Sequence, residues 1–469
     1  MMGRIAGVVL SICVCACGPT ARDRAGAAGG DCSPGDARAC YTGAADTEGV
    51  GTCGGGMQTC TAAGQWGTCD GEVTPRGEIC GNGVDDDCDG KIDEDTDLDG
   101  DGYTTCGGDC CDSINECGNP AEVNPGAFDV PGDGVDNDCD GQVDNVQLLC
   151  DTGLQSSSSN AMDYAKAMDL CQTASATDRR WGVLDAALTL PDGTGTPDPN
   201  QYSIRHHFGA KVEPQGGVSM ALISSGAAAG KGDTAPAYHD FVSYIGTKSS
   251  GFPADFLAAN GGKLPNAPGC PEPLTTAAND PVMLTLHVRV PTNAHSFSLK
   301  TNFFSSEFPE WTCSQYNDFF VVLLDSTYTG DPANPADKNL AIYTDLAGKQ
   351  YPVGVNLAAG DTGLFTQCLN GTTGCEGTPG TITSCTGTDE LLATGFDDAA
   401  PGSCDAGSLQ GGATGWLTTS GNVVPGEVIT LRIAIWDTSD HAYDSLAIVD
   451  GFQWSADPST PGTVIFRRP

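Results

Sequence analysis

Hydrophobic positions are spread unevenly along this chain. Beyond residue 280, five stretches read as strands: VMLTLHVRV (282–290), SFSLKTNFF (296–304), DFFVVLLDS (318–326), VITLRIAIW (428–436) and SLAIVDGFQW (445–454). The first alternates apolar and polar positions, as a half-buried strand does; the third is continuously apolar, as in a strand covered on both faces. Clusters of Pro, Gly, Asn and Asp separate the stretches. The pattern predicts a mainly β fold, an antiparallel β-sandwich with long loops. One helix is predicted, in AMDYAKAMDLC after Ser159-Asn160, with Met162, Ala165 and Met168 on one face and an N-capping residue before it. Cys150 and Cys171 bracket it and are placed to pair.

The first 150 residues have another texture. Residues 81–93 read GNGVDDDCDGKID and residues 132–144 read GDGVDNDCDGQVD, an internal repeat at an offset of fifty-one. Between Asp85 and Asp101 ten of seventeen residues are acidic. Segments so rich in Asp and Gly bury too little apolar surface to fold alone, so cations and crosslinks are expected to hold them. Candidate ligands are Asp85, Asp87, Asp89 and Asp93 in the first copy and Asp136, Asp138, Asp140 and Asp144 in the second. Between the copies, Asp97, Asp99 and Asp101 stand at positions one, three and five of a calcium loop, and Gly102 at position six. An EF-hand needs a bidentate Glu at position twelve, where this chain has Gly108. Asp109 and Asp112 are the expected closing ligands, as in non-helical calcium repeats, and Ca2+ is the expected cofactor.

Charge and cysteine content sharpen this picture. The chain has 469 residues and a formal net charge of −40, so nucleic acid and anionic membrane surfaces are poor partners. Residues 18–150 carry 28 acidic against 5 basic side chains. The leader MMGRIAGVVLSICVCAC has a basic n-region and an apolar stretch too short to span a bilayer. Its Val14-Cys15-Ala16-Cys17 resembles a bacterial lipobox, which implies lipidation at Cys17. The domains read as signal peptide 1–17, flexible tether 18–30, disulfide-rich module 31–79, acidic metal-binding repeat region 80–150 and β-sandwich domain 151–469. Of 23 cysteines, the twenty beyond Cys17 form an even set, as disulfides in an oxidising compartment require. Zinc is the rival for Cys32 to Cys69, but no CxxC pair occurs there and histidine is absent from the first 205 residues.

With these residues in view, 80–145 resembles the MopE-type metal-binding repeats of bacterial secreted proteins. The match runs through Cys80, Asp85, Asp87, Cys88, Asp89 and Asp93, then Asp97, Asp99, Asp101, Gly102, Tyr103, Asp109, Cys110 and Asp112. Pro125-Gly126-Ala127 and Asp136-Asn137-Asp138-Cys139-Asp140 complete it. The resemblance adds Tyr103 to the metal-site residues. Two departures stand out: Cys111 replaces an expected Asp, and Pro131 occupies a Cys position. Copper would need imidazole or thioether ligands, whereas the repeats offer carboxylates and cysteines; adjacent His206 and His207 would point to opposite faces of a strand.

Residues from about 150 to 460 resemble the choice-of-anchor L domain of secreted bacterial proteins. Phe304 to Glu310, Tyr316-Asn317-Asp318-Phe319, Gly415-Trp416-Leu417, Pro425-Gly426-Glu427, Trp436-Asp437, Asp440 and Asp444-Ser445 carry the likeness. Glu307, Asp318, Asp437 and Asp444, with Asn317 and Asp440, fall at strand ends in two distant stretches; a sandwich that joined those ends would make a second calcium site. The competing reading is local turn capping. Glu307 with Glu310, or His441 near Asp440 and Asp444, are weak catalytic constellations, and no GxSxG or HExxH motif is present. Phe308, Trp311, Tyr316 and Trp416 are a candidate sugar-binding shelf beside the acids. The expected product is a non-enzymatic, lipid-anchored envelope protein of a Gram-negative bacterium, at the outer membrane or cell surface. A calcium-stabilised stalk would display the sandwich for structural or adhesive roles, toward a surface glycan or protein ligand. The alternatives are a calcium-dependent carbohydrate-binding protein, a secreted hydrolase or a copper-binding protein.

Overall fold

The computed structural model describes residues 32–93, 97–114, 117–145, 149–243, 246–398, 404 and 411–466. The leader, Cys17 and the tether lie outside the described residues. Among the described residues no helix is long and apolar enough to cross a membrane. Two compact units are present, one reaching Leu98 and including Thr104–Gly107, the other made of Asp99–Tyr103 and Gly108–Pro469. The division passes through segment 80–150, leaving one repeat copy in each unit.

The first unit contains a short antiparallel pair, β1 (Ala37–Cys40) with β2 (Gly56–Thr59). Among its described residues the buried apolar side chains are those of Cys40, Cys53, Cys60 and Cys88. Disulfides Cys32–Cys60, Cys40–Cys69, Cys53–Cys88 and Cys80–Cys106 therefore do what an aliphatic core does elsewhere. Arg38 covers the Trp66 ring at 4.3 Å.

The second unit is the β-sandwich. After α1 (Ala161–Lys166) come β3 (Gly182–Thr189), β4 (Tyr202–Arg205), β5 (Met220–Ser224) and β6 (Ser249–Ser250). Helix α2 (Ala254–Ala259) is followed by β7 (Ala278–Arg289), β8 (Ser296–Ser305) and β9 (Phe319–Asp325). Two small hairpins then intervene, β10 (Ile342–Thr344) with β11 (Gln350–Pro352), and β12 (Gly371–Thr373) with β13 (Gly380–Ile382). The chain closes with β14 (Gly412–Asn422), β15 (Val428–Thr438), β16 (Ser445–Ser455) and β17 (Gly462–Ile465). One sheet runs β3-β7-β15-β9, with β6 on β7; the other runs β17-β14-β8-β16-β5-β4.

Alternation along the central strands explains the layers. Leu284, Leu286 and Val288 of β7 and Leu431, Ile433 and Ile435 of β15 share one core with Leu299 and Phe303 of β8 and Ala447 and Val449 of β16. The opposite faces are also covered. Phe319, Val321, Leu323 and Trp436 pack under Phe252 and Phe256, while Phe304, Leu446 and Ile448 pack against Phe208, Phe241 and Phe396. That double burial is why β9 reads as an unbroken apolar run. The predicted helix is real but short: Asn160 accepts Met162 N–H at 3.3 Å, and Tyr164 and Ala165 face inward, with Met162 half-buried. Cys150 and Cys171 are bonded. The remaining disulfides are Cys110–Cys139, Cys111–Cys117, Cys270–Cys313, Cys368–Cys385 and Cys375–Cys404, so every cysteine from Cys32 onward is paired. Cys111 has its own short loop, and Cys139 finds Cys110 despite Pro131.

Candidate metal centres

Each repeat copy folds as a compact acidic loop. In the first, buried Glu78 accepts the N–H groups of Asp86 (2.7 Å) and Asp87 (3.0 Å) on Oε1 and that of Asp93 (3.2 Å) on Oε2. Asp85 Oδ2 accepts Gly90 N–H at 3.0 Å, and its buried Oδ1 has no hydrogen-bond partner. Asp87 Oδ1 accepts Asp89 N–H at 3.0 Å. Cys88 and Asp93 take left-handed conformations, φ 64° and 51°, that curl the chain back on itself. Ligand oxygens of Glu78, Asp85 and Asp87 lie within 4.8 Å of one another. Burial, reinforced by Asp89, Glu78 and Asp85, raises the Asp87 carboxyl. Asp86 points elsewhere: the Arg76 guanidinium and then the Asn82 amide hold its carboxyl below the usual range.

The second copy repeats this geometry. Asp129 accepts Asn137 N–H at 2.8 Å on Oδ1 and Asn145 N–H at 2.8 Å on Oδ2. Asp136 Oδ2 accepts Gly141 N–H at 2.9 Å, and Asp138 Oδ1 accepts Asp140 N–H at 3.2 Å. Cys139 and Asp144 have φ 55° and 52°. Asp129, Asp136 and Asp138 form the equivalent triplet within 4.8 Å. Burial, then the charges of Asp140 and Asp129, push Asp138 up to about 6. Asp89 pairs with Lys91, and Asp140 accepts from Gln142 and Asn145. Asp93 and Asp144 cap the turns at Asn82-Gly83 and Gly132-Gly134. These four predicted ligands thus shape the loops, while Glu78 and Asp129, which motif reading missed, enter the triplets. The overlooked signal was an acid seven residues before the first repeat Asp in both copies.

Asp99, Asp109 and Asp112 make a third triplet within 4.8 Å. Asp99 Oδ1 accepts Asp101 N–H (3.1 Å), Asp101 Oδ1 accepts Tyr103 N–H (2.7 Å), and Asp109 Oδ1 accepts Cys111 N–H (2.8 Å). Gly102 supplies the sharp turn at φ 94°. The buried Oδ2 of Asp109 has no hydrogen-bond partner, and burial, then Asp101 and Asp112, push this carboxyl up to about 7. Asp97 belongs to the first unit. Tyr103 is buried against Gly126, where a Cβ would come within 2.4 Å of its hydroxyl; the Pro125-Gly126-Ala127 motif makes room for the ring.

In the sandwich, strand ends do bring the distant acids together. Glu307 follows β8, Asp318 precedes β9, Asp437 lies near the end of β15, and Asp444 precedes β16. All four are 1–3% exposed, and Ser445 Oγ donates to Asp318 Oδ2 at 2.7 Å across the two sheets. Burial, followed by one another's charge, raises all four carboxyls well above the ordinary range. Asp280 joins them at 1% exposure. Asn317 instead accepts Asn356 N–H, Asp440 caps Ala442 N–H, and His441 Nδ1 meets Asp280 Oδ2 at 2.5 Å. No three of the described sandwich acids close to within 4.8 Å as the repeat triplets do. The aromatic residues do not form one shelf: Phe308 is in the core against Phe365, Trp416 packs with the Phe208 cluster, and Trp311 contacts Tyr316 and Tyr443. Glu310 is buried apart from the strand-end acids, beside the charge of Glu376.

Comparison with known families finds two matches in chain order. The family described as "Putative metal-binding motif", of MopE type, matches residues 76–94 and 119–145. The choice-of-anchor L domain matches residues 275–451. No curated protein and no solved structure matches the chain. The two family matches, with the acidic triplets, point to a surface-associated protein that binds a metal ion.

Proposed function

We propose that this chain is a lipid-anchored surface protein whose acidic segment is a calcium-stabilised, disulfide-crosslinked stalk presenting the β-sandwich, with no catalytic role. The carrying observation is the equivalence of Glu78/Asp85/Asp87 and Asp129/Asp136/Asp138. Two copies of one sequence place three oxygen donors within 4.8 Å, on loops shaped by backbone N–H donors. The donor set is all oxygen, which suits a hard cation such as calcium over copper or zinc. These residues, with Asp99, Asp109 and Asp112, would hold the ions, and the bound cation would supply the positive charge that neutralises them. Asp85 Oδ1 and Asp109 Oδ2, buried without hydrogen-bond partners, fit that role.

In this reading Cys17 carries the lipid and residues 18–30 are the tether. Outside the cell, affinities on the order of 10⁻⁴–10⁻³ M keep such sites occupied constantly, so calcium acts structurally and the role is display or adhesion. The second repeat is hydrogen-bonded to the sandwich: Asn293 Oδ1 accepts Phe128 N–H at 3.0 Å, and Thr292 N–H donates to Gly126 O at 3.0 Å. Limited proteolysis of the oxidised chain in calcium and in EDTA tests the proposal. Faster cleavage within 78–145 under EDTA is expected; the same cleavage rate in both buffers would rule out cation-dependent loops.

A further inference from the structure

We propose that the strand-end acids of the sandwich, centred on Asp280, Asp437 and Asp444, form a separate divalent-cation site that clips the two sheets together at one end. Glu307 and Asp318 stand beside it. This site shares no residue with the repeat loops, and calcium is its expected occupant because its donors are oxygens.

Burial alone would not make a site. Five carboxylates, those of Asp280, Glu307, Asp318, Asp437 and Asp444, are each no more than 3% exposed. Unneutralised charges at such depth are strongly unfavourable. His441 Nδ1 meets Asp280 Oδ2 at 2.5 Å, and among the described residues neither lysine nor arginine forms a salt bridge with any of the five.

The unsatisfied atoms give the independent evidence. Both oxygens of Asp437, Oδ2 of Asp444 and Oδ1 of Asp280 are buried without a hydrogen bond of ordinary geometry. The Ser225 hydroxyl and the Asp318 carboxyl are the side-chain hydrogen-bonding neighbours of Asp437, and both are also engaged by Ser445: Ser225 Oγ accepts Ser445 N–H at 2.9 Å and Asp318 Oδ2 accepts Ser445 Oγ at 2.7 Å. The same three residues interact by charge: Asp280 acts on Asp437, and both act on Asp444. Native proteins seldom leave buried polar atoms unmet, and a bound ion is one of the few things that meets several at once.

Glycine lets the backbone come close to two of those atoms. A Cβ at Gly226 would stand 2.1 Å from Asp444 Oδ2, and one at Gly246 would stand 1.8 Å from Asp280 Oδ1. The other oxygen of Asp280, Oδ2, is the one that meets His441 Nδ1, at 2.5 Å. The backbone is irregular at the same place: Asp280 has φ 45°, and the β7–β15 register shifts between the Ile435–Val282 and Asp437–Asn279 pairs, so Asp280-Pro281 bulges from β7 opposite Trp436. Binding would draw the carboxylates closer by side-chain rotation.

The rival is a cluster of neutral acids sharing protons, and isosteric amides separate the two. Native mass spectrometry of the full oxidised chain, titrated with calcium, gives the ion count. Asp437→Asn and Asp444→Asn should each bind one calcium fewer than wild type, and the calcium-induced rise in Tm should shrink. Asp99→Asn/Asp109→Asn should lose its ion while the sandwich retains its own, so failure at the stalk is distinguishable from failure here. Folded Asp437→Asn or Asp444→Asn with the wild-type ion count overturns the proposal. If neither variant folds, hydrogen exchange on wild type decides: calcium-dependent protection of Asp318, Asp444 and Ser445 amides supports the site, and unchanged exchange overturns it.

Discussion

Glu78 and Asp129 occupy equivalent places in the two repeat loops. Glu78 Oε1 accepts Asp86 N–H at 2.7 Å, and Asp129 Oδ1 accepts Asn137 N–H at 2.8 Å. The longer side chain also reaches Asp93 N–H, whereas the shorter reaches Asn145 N–H. Each thus anchors loop backbone while contributing an oxygen to an acid triplet. Glu78→Gln keeps one accepting oxygen and loses the other to an amide NH2 that cannot accept an N–H, and is expected to weaken cation binding in the first loop alone; Asp129→Asn, where both carboxylate oxygens are likewise acceptors, should do so in the second alone. Hydrogen exchange of residues 85–93 and 136–144, measured with calcium and after chelation, checks this. Equal effects of either variant on both loops would contradict independent sites.

A pH dependence follows from the sandwich itself. Asp450 is fully buried; desolvation, then Asp169, push its carboxyl up to about 8, despite hydrogen bonds from Gln215 and Gly216 N–H at 2.5 and 3.3 Å. Asp169 is pushed up to about 6 by burial and Asp151. Because these folded pKa values exceed the unfolded value, their contribution is fully present below the unfolded pKa near 3.8 and is lost as pH rises through 6 to 8. The slope is at most about 1.4 kcal/mol per pH unit for each group. Denaturant titrations from pH 5 to 9 should therefore show declining stability from these groups. Asp450→Asn should flatten the upper part of that decline; a variant as pH-sensitive as wild type would assign the decline elsewhere.

The strands with strong apolar patterns were legible, and the weakest were not. Residues 282–290 and 428–436 lie within β7 and β15, but β14 reads GATGWLTTSGN and announces little. It is held by its pairing with β8 on one side and β17 on the other, and such long-range context is what strand propensity leaves out. Asp280 was missed for a related reason. Ala278-Asn279-Asp280-Pro281 looks like a turn, yet it opens β7 and carries a buried carboxylate. The repeat was visible in its Asp, Gly and Cys positions, whereas its anchoring acids became evident only through their hydrogen bonds to loop amides.

Crosslinking should matter most where apolar burial is least. The Cys53–Cys88 disulfide spans 35 residues and ties the first repeat to the cysteine module. Chain-entropy reasoning gives roughly 3–4 kcal/mol for a loop of this size, more than this unit's small core can replace. Cys53→Ala/Cys88→Ala is expected to make the first unit protease-sensitive even in saturating calcium, while sandwich fragments persist. Digestion with mass identification of the products tests it; wild-type resistance would show that calcium suffices without this bond.

The outer face of the five-stranded sheet carries a different charge network. Asp255, on α2, receives Arg432 Nη1 at 2.9 Å and Nη2 at 2.6 Å, with Lys338 Nζ at 2.7 Å. Arg432 and then Lys338 hold the Asp255 carboxyl well below its usual range. Its stabilisation is therefore present above the ordinary carboxylate pKa near 3.8 and is lost as pH falls through the depressed folded value. Asp255 is 37% exposed and Arg432 is 14% exposed, so solvent screens the pair, and Asp325 still contacts Arg432 at 2.9 Å when Asp255 is removed. We expect Asp255→Ala to cost about 1 kcal/mol at neutral pH and less below pH 3. Urea unfolding at pH 7 and pH 2.5 measures both, with Arg432→Ala and the double variant completing the cycle. A cost unchanged between the two pH values would mean that Asp255 acts by packing α2 onto the sheet rather than by its charge.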